Sequence, residues 1–195
     1  MHTPLWTPSP ERVARCAMTQ FRARAAALAG RDLPDQAALY DWSLADPGAF
    51  WRLLWDEAGV IGEPGDIALA PGATMREARW FPQARLNFAE NLLRRRDDGE
   101  ALVFCGEGQV ERRLSWAELR QQVAQAAQAL RQAGVGVGDR VAGMLPNMPE
   151  AIIAMLASAS LGAVWSSCSP DFGIDGALDR FGQVAPKVWL VPDGY

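Results

Sequence analysis

The alternation of strand-like and helix-like segments between residues 138 and 192 constrains this 195-residue chain most tightly. Residues 141–145 form a short apolar run between the Asp139-Arg140 pair and a Pro-Asn turn, which is how a buried strand with punctuated ends reads. Pro149 and Glu150 then open the run AIIAMLASASLG. Proline suits a first helical turn, glutamate complements the positive end of the helix dipole, and Gly162 supplies a stop. Residues 163–169 read as a second strand, 170–173 as a turn, 174–184 as a second helix and 188–192 as a third strand. Strands that alternate with helices predict a parallel sheet, and in such sheets ligands gather beyond the carboxyl ends of the strands. Residues 146–149, 166–173 and 192–195 are therefore the first places to look for a site.

Residues 151–170 carry no charge over a length that could span a bilayer. More than half of them are small or helix-breaking, Gly162 and Pro170 interrupt the run, and no Lys/Arg-rich flank fixes an orientation. The expectation is a helix buried against a sheet followed by a buried strand, in a soluble protein. A net charge of -4 gives no electrostatic case for nucleic acid or an anionic membrane as partner. Cys16, Cys105 and Cys168 show no paired spacing, so neither a disulfide framework nor a cysteine metal site is expected, and a reducing cytoplasm fits. His2 is the only histidine, which leaves no partner for Ser-His or Cys-His nucleophilic catalysis apart from the amino terminus.

From the amino terminus, residues 10–29 read as one helix with Ser9 as cap and Gly30 as stop. Its apolar face would be Val13, Ala17, Phe21, Ala25 and Leu28, docked because a free helix would expose Phe21 and Leu28. Residues 31–46 read as a polar, proline-containing connection. Asp46 caps a further helix that starts at Pro47, holds Phe50, Trp51, Leu53, Leu54 and Trp55, and closes at Gly59. Aromatics at helical spacing read as core rather than as a stacking platform. Residues 62–74 read as loop. Trp80, Phe81, Leu86, Phe88, Leu92 and Leu93 suggest an apolar set around a helix over 87–96, with Asn87 and Glu90 as a capping pair and the Arg94-Arg96 run as its solvated end.

Residues 101–105 and 110–114 flank a glycine-containing turn and predict a hairpin. Ser115 and Glu118 have capping-box spacing at the head of a helix whose buried face is Leu119, Val123, Ala126, Ala127 and Leu130. The GVGVGD run over 134–139 leaves a helix and enters a strand, the reverse of a dinucleotide loop, and so reads as a helix stop and turn. Neither a GxxxxGK[ST] loop nor an internal repeat occurs. Asp171 and Asp175 have no distinctive catalytic spacing and read as loop or cap residues.

The segments PLWTPSPERV, FWRLLWDEAGVIGEPG, WFPQARLNFAENLL, VGDRVAGMLPNMPEAIIAMLASASLGAVWSSCSPDFG and VAPKVWLVPDGY resemble acetoacetyl-CoA synthetases of the AMP-forming, adenylate-forming superfamily. The resemblance runs from Leu5 to Tyr195. Acetyl- and propionyl-CoA synthetases share the GDRV and PEAIIAMLA pattern but carry Phe-Gly-Gly-Phe-Ser where this chain has residues 169–173, which favours the acetoacetyl branch. The implied fold is α/β: an amino-terminal helical cap over residues 1–98, then over 99–195 the start of the doubly wound, mainly parallel sheet of the adenylate-forming large domain.

The implied reaction uses ATP, acetoacetate, coenzyme A and Mg2+. Acetoacetyl-adenylate forms first, and the thiol of coenzyme A then displaces AMP. The family's phosphate loop, its adenine- and ribose-binding motifs and its carboxy-terminal lysine lie downstream of the matched region, so no catalytic residue and no metal ligand is assigned here. The resemblance implies coenzyme A contacts at Pro170, Asp171, Phe172, Gly173, Asp193 and Gly194. For the turn, the alternative is a plain helix start capped by Asp171 or Asp175. The implied partners are acetoacetate and the remainder of a synthetase. A catalytically inactive remnant and an interaction module stand as the alternative functions.

Overall fold

The computed structural model describes residues 5–194. His2 and Tyr195 lie outside the described residues. The chain divides into two compact units, Met1–Leu86 and Asn87–Tyr195.

In the first unit the expected amino-terminal helix is two helices, α1 (Pro10–Ala14) and α2 (Ala17–Ala29). Ser9 caps α1 by accepting the Arg12 N–H at 3.3 Å, and Gly30 ends α2 in the left-handed conformation, as the residue types predict. The break falls where the Thr19 hydroxyl donates to the Val13 carbonyl at 2.7 Å and Cys16 turns extended. The docked face shifts accordingly. Ala25 is buried, with Phe21, Ala26 and Ala29 packed beside it, whereas Leu28 and Val13 are exposed.

The stretch over 31–46, expected to be irregular, contains α3 (Gln36–Ala45), whose Asp35 cap accepts the Ala38 N–H at 2.9 Å. Leu39 and Trp42 from α3 join Ala25 and Leu33 as the core of this unit. Burying a side chain of that size contributes about 1.5–3 kcal/mol relative to leaving it in water. Asp46 caps α4 (Pro47–Glu57) through the Ala49 N–H at 3.0 Å. Phe50 stacks edge-on against Phe21 and Trp42, as a core aromatic should. Trp51 instead pairs edge-on with Trp80 at 5.6 Å, both rings being half exposed.

The region expected to be loop over 62–74 forms two short antiparallel ribbons with later residues. β1 (Gly62–Glu63) pairs with β4 (Arg85–Leu86), and β2 (Leu69–Ala70) pairs with β3 (Arg79–Trp80).

The second unit opens with α5 (Phe88–Leu92), capped by Asn87 accepting the Glu90 N–H at 3.1 Å. The helix is shorter than expected and buries Ala89 and Leu93, while Phe88 and Leu92 are exposed. Trp80, Phe81 and Leu86 belong to the other unit, so the apolar set is not one cluster. The arginine run lies beyond the helix, where Arg95 donates twice to Asp97 and draws its carboxyl down to about 2.

β5 (Glu100–Gly106) and β6 (Val110–Ser115) form the hairpin, and the Ser115–Glu118 capping box opens α6 (Trp116–Gln132). Glycine at 134 takes φ 81° and completes a Schellman stop, with the Gly134 N–H on Arg131 and the Val135 N–H on Leu130.

Then come β7 (Arg140–Met144), α7 (Pro149–Ser160), β8 (Val164–Cys168), α8 (Gly173–Val184) and β9 (Val188–Leu190), each within two residues of its expected bounds. The sheet is parallel, in the order β8-β7-β9. Side chains alternate across it with period two. Val141, Trp165, Val188 and Leu190 face the cluster built with α6 and α7, while Ala142 and Cys168 face Ala177 and Phe181 of α8. Helices thus cover both faces of a parallel sheet, the start of a doubly wound fold.

The amino edge of this sheet is tied down by polar groups. The Asp139 carboxylate accepts the Gly136 N–H at 2.8 Å and pairs with the Lys187 ammonium at 3.0 Å; these two contacts, in that order, hold its carboxyl below the usual range. A lowered folded value contributes stability that is present above the ordinary carboxylate pKa and lost as pH falls through the folded one. The melting temperature should therefore drop on acidification below about pH 4, and the drop should be smaller in Asp139→Asn, measured from pH 7 to pH 3.

Candidate functional site

The carboxyl ends of the three parallel strands are Met144, Cys168 and Leu190, and the loops that follow them make one edge. The chain steps from β7 to β8 on one side and then crosses to β9 on the other. Strand order reverses at β7, and such a reversal opens a crevice at the carboxyl edge.

After β7, the Leu145 N–H continues the ladder to the Cys168 carbonyl at 3.3 Å. Asn147 is exposed, and α7 begins at Pro149 with Met148 in a cap position that offers no side-chain acceptor. A cavity of about 310 Å³ lies beside this loop, lined among others by Phe104, Cys105, Asn147, Met148 and Ile152. Arg112 of the hairpin pairs with Glu150 of α7 at 2.5 Å.

After β8 comes a 3-10 turn over Pro170–Phe172. The Ser169 hydroxyl accepts the Asp171 N–H at 3.3 Å and donates to the Asp171 carboxylate at 2.7 Å. Gly173 sits at φ 66°, ψ 178°, a backbone region essentially reserved for glycine, with open space where a Cβ would stand. The start of α8 has no side-chain cap. The 3-10 turn is capped by Ser169, whose hydroxyl also meets the Asp171 carboxylate, and Asp175 lies within the first turn of α8.

Phe172 is half exposed and lies beneath the Arg180 guanidinium, 4.1 Å from ring centre to charge centre. Sequence reasoning did not single out Arg180. Its signal was a spacing of eight residues, two helical turns, combined with the lean of helical side chains toward the amino end. Asp193 and Gly194 follow β9 and are exposed.

The structure thus puts Pro170, Asp171, Phe172 and Gly173 on the same edge as Asp193 and Gly194, but on opposite sides of β7, after strands whose axes are two spacings or about 9–10 Å apart. Turns, glycines and a stacked arginine at such an edge suit contact with an extended ligand. Among the described residues, no group of three or more His, Cys, Asp or Glu is arranged to hold a metal ion.

Residues 88–194, more than half of the chain, match the family model for AMP-binding enzymes. The chain belongs to the AMP-binding enzyme family. Residues 36–92 match the model for the acetyl-coenzyme A synthetase N-terminus, beginning at α3.

Several similar proteins share one name. The chain is 56% identical over 192 residues to acetoacetyl-coenzyme A synthetase of Rhizobium meliloti, covering 98% of this chain and 30% of that protein. Identity to acetoacetyl-CoA synthetase of Macaca fascicularis is 42%, over 94% of this chain and 28% of that one. Among solved structures, acetoacetyl-CoA synthetase from Streptomyces lividans superposes with a TM-score of 0.90 at 44% identity, covering 100% of this chain and 31% of that chain. An acyl-CoA synthetase from Brucella canis matches 54% of this chain and 20% of that chain, with a TM-score of 0.51 at 27% identity. The chain spans about 30% of the length of the curated relatives it matches.

Proposed function

We propose that this chain is the amino-terminal portion of an acetoacetate–coenzyme A ligase. The observation that carries the reading is the 56% identity to an acetoacetyl-coenzyme A synthetase over nearly the whole chain. The reaction joins acetoacetate to AMP with loss of pyrophosphate, and the thiol of coenzyme A then displaces AMP. The first step needs cations and N–H donors around a triphosphate. The second needs a surface along which coenzyme A reaches the acyl group.

The carboxyl edge of the parallel sheet fits the second requirement. Pro170, Asp171, Phe172 and Gly173 on one side, with Asp193 and Gly194 on the other, are the residues proposed to meet coenzyme A. Gly173 keeps the turn free of a side chain, and the fixed Ser169–Asp171 bonds hold its shape before the ligand arrives.

These 195 residues contain no triphosphate cradle of the GxxxxGK[ST] kind, and the resemblance implies that the family's own phosphate loop lies downstream of the matched region. No step through magnesium is assigned to them. The isolated chain is accordingly proposed to be inactive in adenylation and to need the residues that correspond to the remainder of its relatives. No described helix is long and apolar enough to cross a membrane.

Titrating coenzyme A into isotope-labelled chain and following amide resonances tests the coenzyme contacts. Shifts should concentrate at Asp171, Phe172, Gly173, Asp193 and Gly194. An unperturbed spectrum at millimolar coenzyme A, or shifts confined to the other unit, would remove this assignment.

A further inference from the structure

The GDRV run that begins β7 lies at the amino edge, opposite the proposed coenzyme edge, and its arginine reaches across to the end of α8. Arg140 donates from Nε to the Val184 carbonyl at 3.1 Å and from Nη2 to the Ala185 carbonyl at 3.2 Å, bridging 44 and 45 positions of sequence. Those carbonyls are the last of α8, which a helix cannot satisfy internally. The guanidinium fork meets two acceptors at once, as an ammonium could not.

The residue it holds is strained. Ala185 adopts φ 48°, ψ 64°, the left-handed region that alanine rarely enters, and it precedes Pro186. Directly after this turn the Lys187 N–H bonds the Arg140 carbonyl at 2.8 Å, and Val188 comes into register with Val141. The Lys187 ammonium also reaches the Gly134 carbonyl at 2.5 Å. The turn over 184–187 therefore decides where β9 begins on β7, and Asp193 lies only three residues beyond the end of that three-residue strand.

We infer that Arg140 is a positioning residue that acts through the strained Ala185-Pro186 turn to set the register of β9 on β7, and so places Asp193 and Gly194 at the carboxyl edge. The part that concerns coenzyme A rests on the function proposed above; the register claim does not.

Hydrogen exchange on the full 195-residue chain separates this role from general support. β8 and β9 both pair with β7, so β8 is an internal control. In Arg140→Met, which keeps the aliphatic stem and loses the donors, amides of β9 should exchange about tenfold faster while those of β8 stay within about twofold. Adding Ala185→Gly, which removes the strain the arginine restrains, should bring β9 back to within about threefold of wild type. Ala185→Gly alone should leave β9 exchange unchanged or slower, and it provides a well-folded variant.

Equal acceleration in β8 and β9, no acceleration in either, or failure of Ala185→Gly to restore β9 would each overturn the inference. Coenzyme A titrations of the same variants add a second readout: shifts at Asp193 and Gly194 should be lost in Arg140→Met and regained in the double variant. If wild type shows no coenzyme shifts, the coenzyme reading fails while the exchange comparison still decides the register.

Discussion

Replacing Phe181 by alanine is expected to destabilise the second unit by about 3–5 kcal/mol, the range for removing a buried aromatic. The ring is 3% exposed and is the largest buried side chain of the cluster between α8 and the sheet, packed with Ala142, Cys168 and Ala177. It also meets Trp189 edge-on, with centroids 5.3 Å apart and planes at 71°, a contact worth about 0.5–1.5 kcal/mol beyond the area it buries. That cluster has only four buried members, so the neighbours have little with which to refill the space. Leu178→Ala on the same helix serves as control: Leu178 is 58% exposed, and its truncation should stay within about 0.5 kcal/mol. Urea unfolding followed by circular dichroism measures both. A loss below about 1 kcal/mol for Phe181→Ala would mean that α8 does not cover this face of the sheet as described.

Gly143→Ala should cost about 1–3 kcal/mol although it adds a single methyl group to a strand, where glycine is ordinarily the weaker residue. A Cβ at this position would stand 2.5 Å and 2.8 Å from two carbons of the Trp165 six-membered ring. Gly143 pairs with Ser167 in the parallel ladder, and the Trp165 indole from β8 lies across the gap that the glycine leaves. A rigid ring cannot bend away from a methyl group; it must move as a whole into the cluster shared with α6 and α7. Trp165→Phe removes the colliding atoms. Whatever it costs alone, combining it with Gly143→Ala should recover at least about 1 kcal/mol relative to the sum of the two single losses. Strict additivity would show that the collision is not the reason for glycine at this position.

What the sequence made legible was local. The three parallel strands and their helices follow from short apolar runs bounded by Pro, Gly and Asn. Ser9, Asp46, Asn87 and Ser115 all accept the N–H groups that their spacing predicts. The carboxyl edge followed from the same pattern, because a parallel sheet puts its loops there whatever the residues are.

What stayed illegible was either sparse or long-range. α3 was missed because only Leu39 and Trp42 of its ten residues are buried, too few to show a helical period. The break between α1 and α2 depends on a threonine hydroxyl that competes for one carbonyl, a choice that residue spacing does not reveal. Leu28 was expected to be buried because it extends an apolar row, yet of that row only Ala25 is buried with Phe21 beside it, and the rest of the core comes from Leu33, Leu39 and Trp42. At the site, the turn over 170–173 was placed correctly, but the Arg180 stack on Phe172 depends on helix phase. The Arg140 contact spans more than forty residues. Neither is written in local pattern.

Pyrophosphate exchange into ATP by the purified chain, with acetoacetate and magnesium present, tests the central claim most directly. The account predicts no exchange above a control without acetoacetate, since the proposed function assigns the groups that stabilise a reacting triphosphate to the part of the relatives that this chain does not span. Acetoacetate-dependent exchange above that control would contradict it, and would mean that these 195 residues hold a complete adenylation site.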